Sequence, residues 1–254
     1  MNLTSSQKST SSYVIHQDLL GNQVFHLKEP EIILRIKKNG YVPKSGVFIA
    51  ECLRKYDIRG NILDIGTGET GFLAYYLKAR GANNVIACDI DKDAINWAEK
   101  AILEKISVSF VVSDVFDSIE NEKKFDLIVS NPPQMPMPVP GDPHDYGGYN
   151  GRDIIFKIIK GCRARLTEKG KLVFLCFDFL SVLTRLDSIP SIVELIEAEG
   201  LKYSIIGHCE REVRHGGKTE ENVRWIKKIY PKYQFQKNQQ GDLQYKMLVL
   251  EVTK

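Results

Sequence analysis

A chain of 254 residues, 43% hydrophobic and 26% charged, has room for one large buried core, alone or with a small appendage. No apolar run reaches bilayer-spanning length, and a formal net charge of +3 is too weak to announce a nucleic-acid protein. Five scattered cysteines without a CxxC pair argue against a disulfide framework and suit a reducing, cytoplasmic setting, with Cys88 and Cys176 inside apolar runs as core thiols.

The polar opening MNLTSSQKSTSS lacks an apolar signal core and is expected to be loose. Residues 13–27 predict a hairpin around Gly21-Asn22. A short helix is predicted over 29–38, started near Pro30 and ended by Gly40, and helical spacing returns over 47–56. From Asn61 strands and helices alternate. Strands are predicted at 61–66, 84–90, 108–114, 125–130 and 171–177, and helices at 71–81, 93–105, 151–166 and 191–200. LKYSIIGH (201–208) follows, then a polar, partly helical stretch, then a final strand at 243–252. Apolar strands alternating with helices imply a parallel sheet covered on both faces.

In such sheets ligands sit beyond the carboxyl ends of the strands. The residues there are Gly66-Thr67-Gly68, Asp89-Ile90, Asp114-Val115 and Asn131-Pro132-Pro133. GTGETG (66–71) fits the G-x-G-x-x-G dinucleotide pattern, and Asp89 follows it by about 18 residues, so a nicotinamide or flavin enzyme competes. Asp64, within the first strand of this series, and Glu69, within the loop, oppose that assignment, because both carboxylates would face a pyrophosphate with like charge. Toward the ammonium and sulfonium of S-adenosylmethionine the same carboxylates are attractive. Asp89 then serves the ribose hydroxyls, while Asp114 and the Val115 N–H serve the adenine. Asn131-Pro132-Pro133-Gln134 closes the series. Two prolines stiffen the turn and remove two N–H donors, leaving acceptors that suit an NH₂ group.

LDIGTGETG, CDID, SDVF and SNPPQMP together resemble the class I S-adenosylmethionine-dependent methyltransferases with an N-P-P motif, and in particular the release-factor glutamine methyltransferase (HemK) family. DYGGYNGRDIIFKIIKGCRARLTEKGKLVF (145–174) is similar to the family's Gly-Gly-x-x-Gly segment, and VPKSGVFIAE (42–51) to its substrate-side loop. The resemblance implies a doubly wound α/β domain with a mostly parallel seven-stranded sheet and an antiparallel last strand. That domain is expected over 59–254, with 1–58 as a hairpin-and-helix appendage. It also implies cofactor contacts at Asp64, Gly66, Thr67, Gly68, Asp89, Ile90, Asp114, Val115 and Asn131. Asn131, Pro132, Pro133 and Gln134 are the expected catalytic residues. Position 134 departs from the family, which carries an aromatic there; Tyr146 and Tyr149 are the candidates to replace it.

The expected reaction is direct methyl transfer to an sp² nitrogen, without a metal or a covalent enzyme intermediate. A polypeptide amide is the first acceptor considered and an RNA nucleobase the second; a methyltransferase-like binding protein without catalysis is a further alternative. Basic residues before Gly60 and after Lys202 fit either solvated helix faces or a phosphate surface, and the oligomeric state is left open. The proline- and glycine-rich loop 135–151 is expected to act as a substrate lid. His208, Cys209, Glu210 and His215 match no common zinc spacing.

Overall fold

The computed structural model describes residues 13–254, so the expectation for the polar opening lies outside the described residues. Strands β1 (Tyr13–Gln17), β2 (Gln23–Leu27) and β3 (Ile32–Arg35) form a small antiparallel sheet in that order. The predicted hairpin is there, its turn held by the Asp18 carboxylate, which accepts the N–H groups of Leu20 and Asn22. The helix predicted over 29–38 is not formed, because that segment contains β3. Ile32, Leu34 and Ile36 are buried and alternate with partly exposed neighbours, a period of two that a strand satisfies and a helix does not. Helix α1 (Lys44–Cys52) runs into a 3₁₀ turn at Leu53–Lys55, as the spacing over 47–56 predicts.

The main sheet starts with parallel strands β4 (Asn61–Ile65), β5 (Asn84–Asp89), β6 (Ser109–Val112), β7 (Phe125–Ser130) and β8 (Leu166–Phe177). Helices α2 (Phe72–Ala79), α3 (Lys92–Ala101) and α4 (Asp153–Arg165) lie between them in the chain. Then come α5 (Ile192–Ala198), β9 (Lys202–Glu212), α6 (Lys218–Ile229), the two-residue β10 (Gln236–Lys237) and β11 (Leu243–Thr253). Spatial order across the long strands is 6-5-4-7-8-11-9, with β11 antiparallel to both β8 and β9. This is the doubly wound, mostly parallel seven-stranded sheet expected from the sequence, extended by β10 on the edge of β11.

Strands β4, β7 and β8 are apolar and closed on both faces, which gives two cores. Ile128, Phe174, Ile155 and Ile159 belong to one, facing α4 and α5. Ile62, Val129 and Val173 belong to the other with Phe72, Leu77 and Ile49 of the helices and Phe25 and Leu34 of the small sheet. The small sheet also shortens α3, predicted to reach 105. Ile102 leaves the helix to bridge Leu34, and the Leu103 N–H donates to Ile33 O at 3.0 Å. Tertiary pairing overrides helix propensity there.

Candidate active site

The parallel register levels the carboxyl ends of three strands, pairing Ile65 with Cys88 on one side and with Ser130 on the other. Ser130 Oγ donates to Ile65 O at 2.8 Å, tying the start of the Asn131 turn to the start of the glycine loop. The two turns nearly touch: a Cβ on Gly66 would lie 4.0 Å from Asn131 O. Gly66 and Gly68 have φ of 70° and 64°, left-handed geometry that glycine adopts without strain.

The glycine loop spends its amides internally. Gly66 and Thr67 N–H both donate to Cys88 O (2.8 and 3.0 Å), and Gly68 N–H donates to Asp89 Oδ2 at 2.9 Å. A pyrophosphate site needs such amides free and pointing at the ligand; here they are committed and carboxylates stand beside them. Asp64 is buried, with Oδ2 accepting from Thr67 Oγ1 at 2.7 Å while Oδ1 has no partner. Burial pushes its carboxyl up to about 7, and the Asp89 charge adds to the rise. A buried, half-satisfied carboxylate beside a glycine loop fits a cationic group and repels a phosphate. The chain's own atoms thus match a sulfonium cofactor.

These residues line a cleft of about 900 Å³ across the strand ends. All of the sequence-derived candidates reach it: Asp64, Gly66, Thr67, Gly68, Asp89, Ile90, Asp114, Val115, Asn131, Pro132, Pro133 and Gln134. Their states differ. Asp89 also accepts the Asp91 N–H at 3.0 Å, and Ile90 is exposed. Asp114 receives Lys157 Nζ at 2.7 Å, and that hydrogen bond raises the lysine pKa. Val115 has φ 54°, a costly conformation for a β-branched residue, and its carbonyl accepts from Ser113 Oγ.

Gln134 is turned inward. Its Nε2 donates to Pro132 O and Leu175 O, each at 3.2 Å, and its Oε1 accepts the Phe177 N–H at 2.8 Å. The side chain staples the N-P-P turn to β8. Neither Tyr146 nor Tyr149 lines the cleft; Tyr149 packs edge-on against Trp225 with ring centres 4.7 Å apart. The aromatic side chains on the cleft are instead Tyr41, Phe72, His144, Phe177 and Tyr245. Sequence reasoning missed Tyr41, although it directly precedes the VPKSG segment. The two ends of the loop 135–151 pack against the fold, while 138–143 are exposed: Met135 and Met137 are buried, Trp225 Nε1 donates to Tyr149 O, and Tyr230 Oη donates to Asn150 O.

The methyltransferase small-domain family model matches residues 40–206, and the chain belongs to that family. It is an S-adenosylmethionine-dependent methyltransferase. A release factor glutamine methyltransferase of Leptospira interrogans is 31% identical over 207 residues, covering 74% of this chain and 69% of that protein. A ribosomal RNA small subunit methyltransferase C of Actinobacillus succinogenes is 37% identical over 125 residues, 48% of this chain and 34% of that protein. Among solved structures, the Thermus thermophilus 16S rRNA N2 G1207 methyltransferase, in complex with AdoMet and guanosine, has a TM-score of 0.53 at 19% identity. That superposition covers 95% of this chain and 50% of the other.

Proposed function

We propose that the protein methylates a side-chain amide nitrogen of a polypeptide, of the glutamine type, and that the N-P-P turn holds that nitrogen. The observation that carries the choice of acceptor is the 31% identity to the release factor glutamine methyltransferase of Leptospira interrogans, which covers 74% of this chain and 69% of that protein. Charge does not choose between acceptors, because Lys44, Arg211, Arg214 and Lys218 line the acceptor side with Asp145, Glu210 and Glu212, and the other five carboxylates of the cleft stand at the cofactor strand ends.

Within this proposal Asp64 and the Gly66-Thr67-Gly68 loop hold the cationic methionyl end. Asp89 accepts the ribose hydroxyls, with Ile90 as an apolar face. Asp114 and Val115 receive the adenine. When bound, S-adenosylmethionine supplies a methyl group activated on a positively charged sulfur. The remaining chemistry belongs to the chain. An amide nitrogen is a poor nucleophile because its lone pair is delocalised. The Asn131 side-chain oxygen and the Pro132 carbonyl each take one N–H, turning the lone pair toward the cofactor side of the cleft. Orientation of this kind lowers a barrier by several kcal/mol. Positive charge grows on nitrogen as the nitrogen–methyl bond forms and the sulfur–methyl bond breaks; the same two acceptors stabilise it, and nitrogen then gives up one of its two protons to solvent. Pro133 keeps the turn extended, and Gln134 acts as a positioning residue through Pro132 O and Phe177 N–H.

The second acceptor class, an RNA nucleobase amino group, is favoured by Arg211, Arg214 and Lys218 on one rim of the cleft and by the similarity to the Actinobacillus succinogenes enzyme. Labelled methyl transfer in a cell lysate separates the two. Label in the protein fraction, mapped by mass spectrometry to a glutamine amide, is the expected result. Label confined to RNA, with binding that weakens about 10³-fold between 50 and 200 mM salt, would overturn the polypeptide assignment.

A further inference from the structure

We infer that Tyr41 and Asp145 form an acceptor-side subsite in the cleft: the Asp145 carboxylate, turned toward the cleft on binding, takes an N–H of the bound polypeptide, and the Tyr41 ring covers that contact. This rests on the polypeptide acceptor proposed above. Asp145 is held beside the N-P-P turn by main-chain pairing. Met135 N–H donates to Asp145 O at 2.8 Å, Gly147 N–H donates to Met135 O at 3.0 Å, and Met135 bridges Tyr146 in parallel. A Cβ on Gly147 would fall 2.4 Å from Gln134 Cα, an approach that only glycine permits. The segment is therefore pressed directly onto the turn that carries Asn131.

Asp145 lines the cleft, and its Oδ2 is closed to solvent with no hydrogen-bond partner. An acceptor left unpaired in this way is costly, which favours a turn of the carboxylate onto a donor that a bound molecule brings. The groups around it come from three elements. Asp142 and His144 belong to its own loop, Lys218 and Glu221 to α6, and Tyr41 to the segment before α1. Burial and then Asp142 raise its pKa, against Lys218 and His144, so the carboxyl holds its proton to higher pH than an exposed aspartate.

Tyr41 is half-exposed at the cleft and packs against His144 with ring centres 6.0 Å apart at 61°. Its main chain is anchored to the glycine loop, because Tyr41 N–H donates to Glu69 Oε1 at 2.9 Å. Gly40 makes room for that carboxylate, since a Cβ there would lie 2.1 Å from Glu69 Oε1. The hydroxyl of Tyr41 feels Asp145 as the first of its neighbouring charges, after burial itself. With Gln134 turned into the fold, Tyr41 offers an aromatic face from a different part of the chain.

The test is steady-state kinetics with a purified release factor as the acceptor probe, paired with calorimetric titration of S-adenosylmethionine. Asp145→Ala and Tyr41→Ala should each raise the KM for the release factor about tenfold or more, with kcat changed by less than about threefold and cofactor affinity unchanged. Asp145→Asn keeps one acceptor oxygen and the side-chain shape. It should raise KM less and, at saturating cofactor, should remove the fall in kcat/KM expected of the wild type as Asp145 takes up its proton. Tyr41→Phe keeps the ring and should raise KM less than Tyr41→Ala does. Wild-type KM and pH profile in Asp145→Asn, with wild-type KM in Tyr41→Ala, would overturn the subsite alone. A wild-type enzyme that methylates RNA and no polypeptide would overturn the acceptor assignment and the subsite together.

Discussion

The two walls of the cleft are built on different terms. The wall proposed for the cofactor comes from three strand ends, those of β4, β5 and β6, held in one register by the sheet. Most of its polar groups are already paired: Gly66 and Thr67 with Cys88, Gly68 with Asp89, Thr67 with Asp64. The wall proposed for the acceptor is assembled from the N-P-P turn after β7, residues 40–46, the loop 135–151 and the junction of β9 and α6, which meet only after folding. Its anchors are individual side-chain staples, such as Glu69 on the Tyr41 N–H and Gln134 between Pro132, Leu175 and Phe177. A repeating unit can place a ligand through its own periodicity, whereas a composite wall needs dedicated staples.

Substitutions at the two walls should separate binding from turnover. The largest effect is expected for Asn131→Ala, which removes an acceptor from the methylated nitrogen and should lower kcat about 10²-fold or more. Single-turnover transfer of labelled methyl reads it directly, and wild-type turnover would reduce Asn131 to a turn residue. Next is Asp89→Ala. It strips the acceptor from Gly68 N–H and Asp91 N–H as well as the proposed ribose contacts, and should weaken cofactor binding by about 30-fold, near 2 kcal/mol. At saturating cofactor its kcat should stay close to wild type.

Gln134→Ala sharpens the contrast from the stability side. It leaves the Leu175 and Pro132 carbonyls and the Phe177 N–H without their side-chain partner, at a cost of about 1–2 kcal/mol. Calorimetric melting should then show a Tm lower by about 2–8 °C. An unchanged Tm would mean the staple contributes nothing.

The smallest expected effect is a pH dependence at Asp64. Its folded pKa of about 7 lies above the ordinary 3.8, so the folded protein keeps a proton that the unfolded chain has released between those values. Stability from this group is therefore lost as pH rises from about 4 to 7, and a bound cation offsets the loss above 7. Cofactor affinity should fall about tenfold from pH 8 to pH 6 in the wild type and stay flat in Asp64→Asn.

The contrast between the walls also explains what the sequence disclosed. Asp64, Asp89, Asp114 and Asn131 recur at strand ends about 20 residues apart because each βα unit returns the chain to the same edge, so their shared location is legible from alternation alone. At 29–38, Pro30 and Gly40 bracket the segment as helix ends would, whereas the period of two over Ile32, Leu34 and Ile36 is the signal that matches β3. The end of α3 was overrun because nothing local marks the pairing of Ile102 with Leu34. Tyr41 and Asp145 lie 104 positions apart in the chain and carry no motif. The inward turn of Gln134 depends on β8, whose Leu175 and Phe177 lie about 40 residues downstream.

The separation of the two walls is tested most directly by titrating S-adenosylmethionine calorimetrically into wild type, Asp89→Ala and Asn131→Ala under identical conditions. The predicted result is affinity in Asn131→Ala within about threefold of wild type, and in Asp89→Ala weakened about 30-fold. Equal weakening in both variants, or wild-type affinity in Asp89→Ala, would contradict the division of the cleft into a cofactor wall and an acceptor wall.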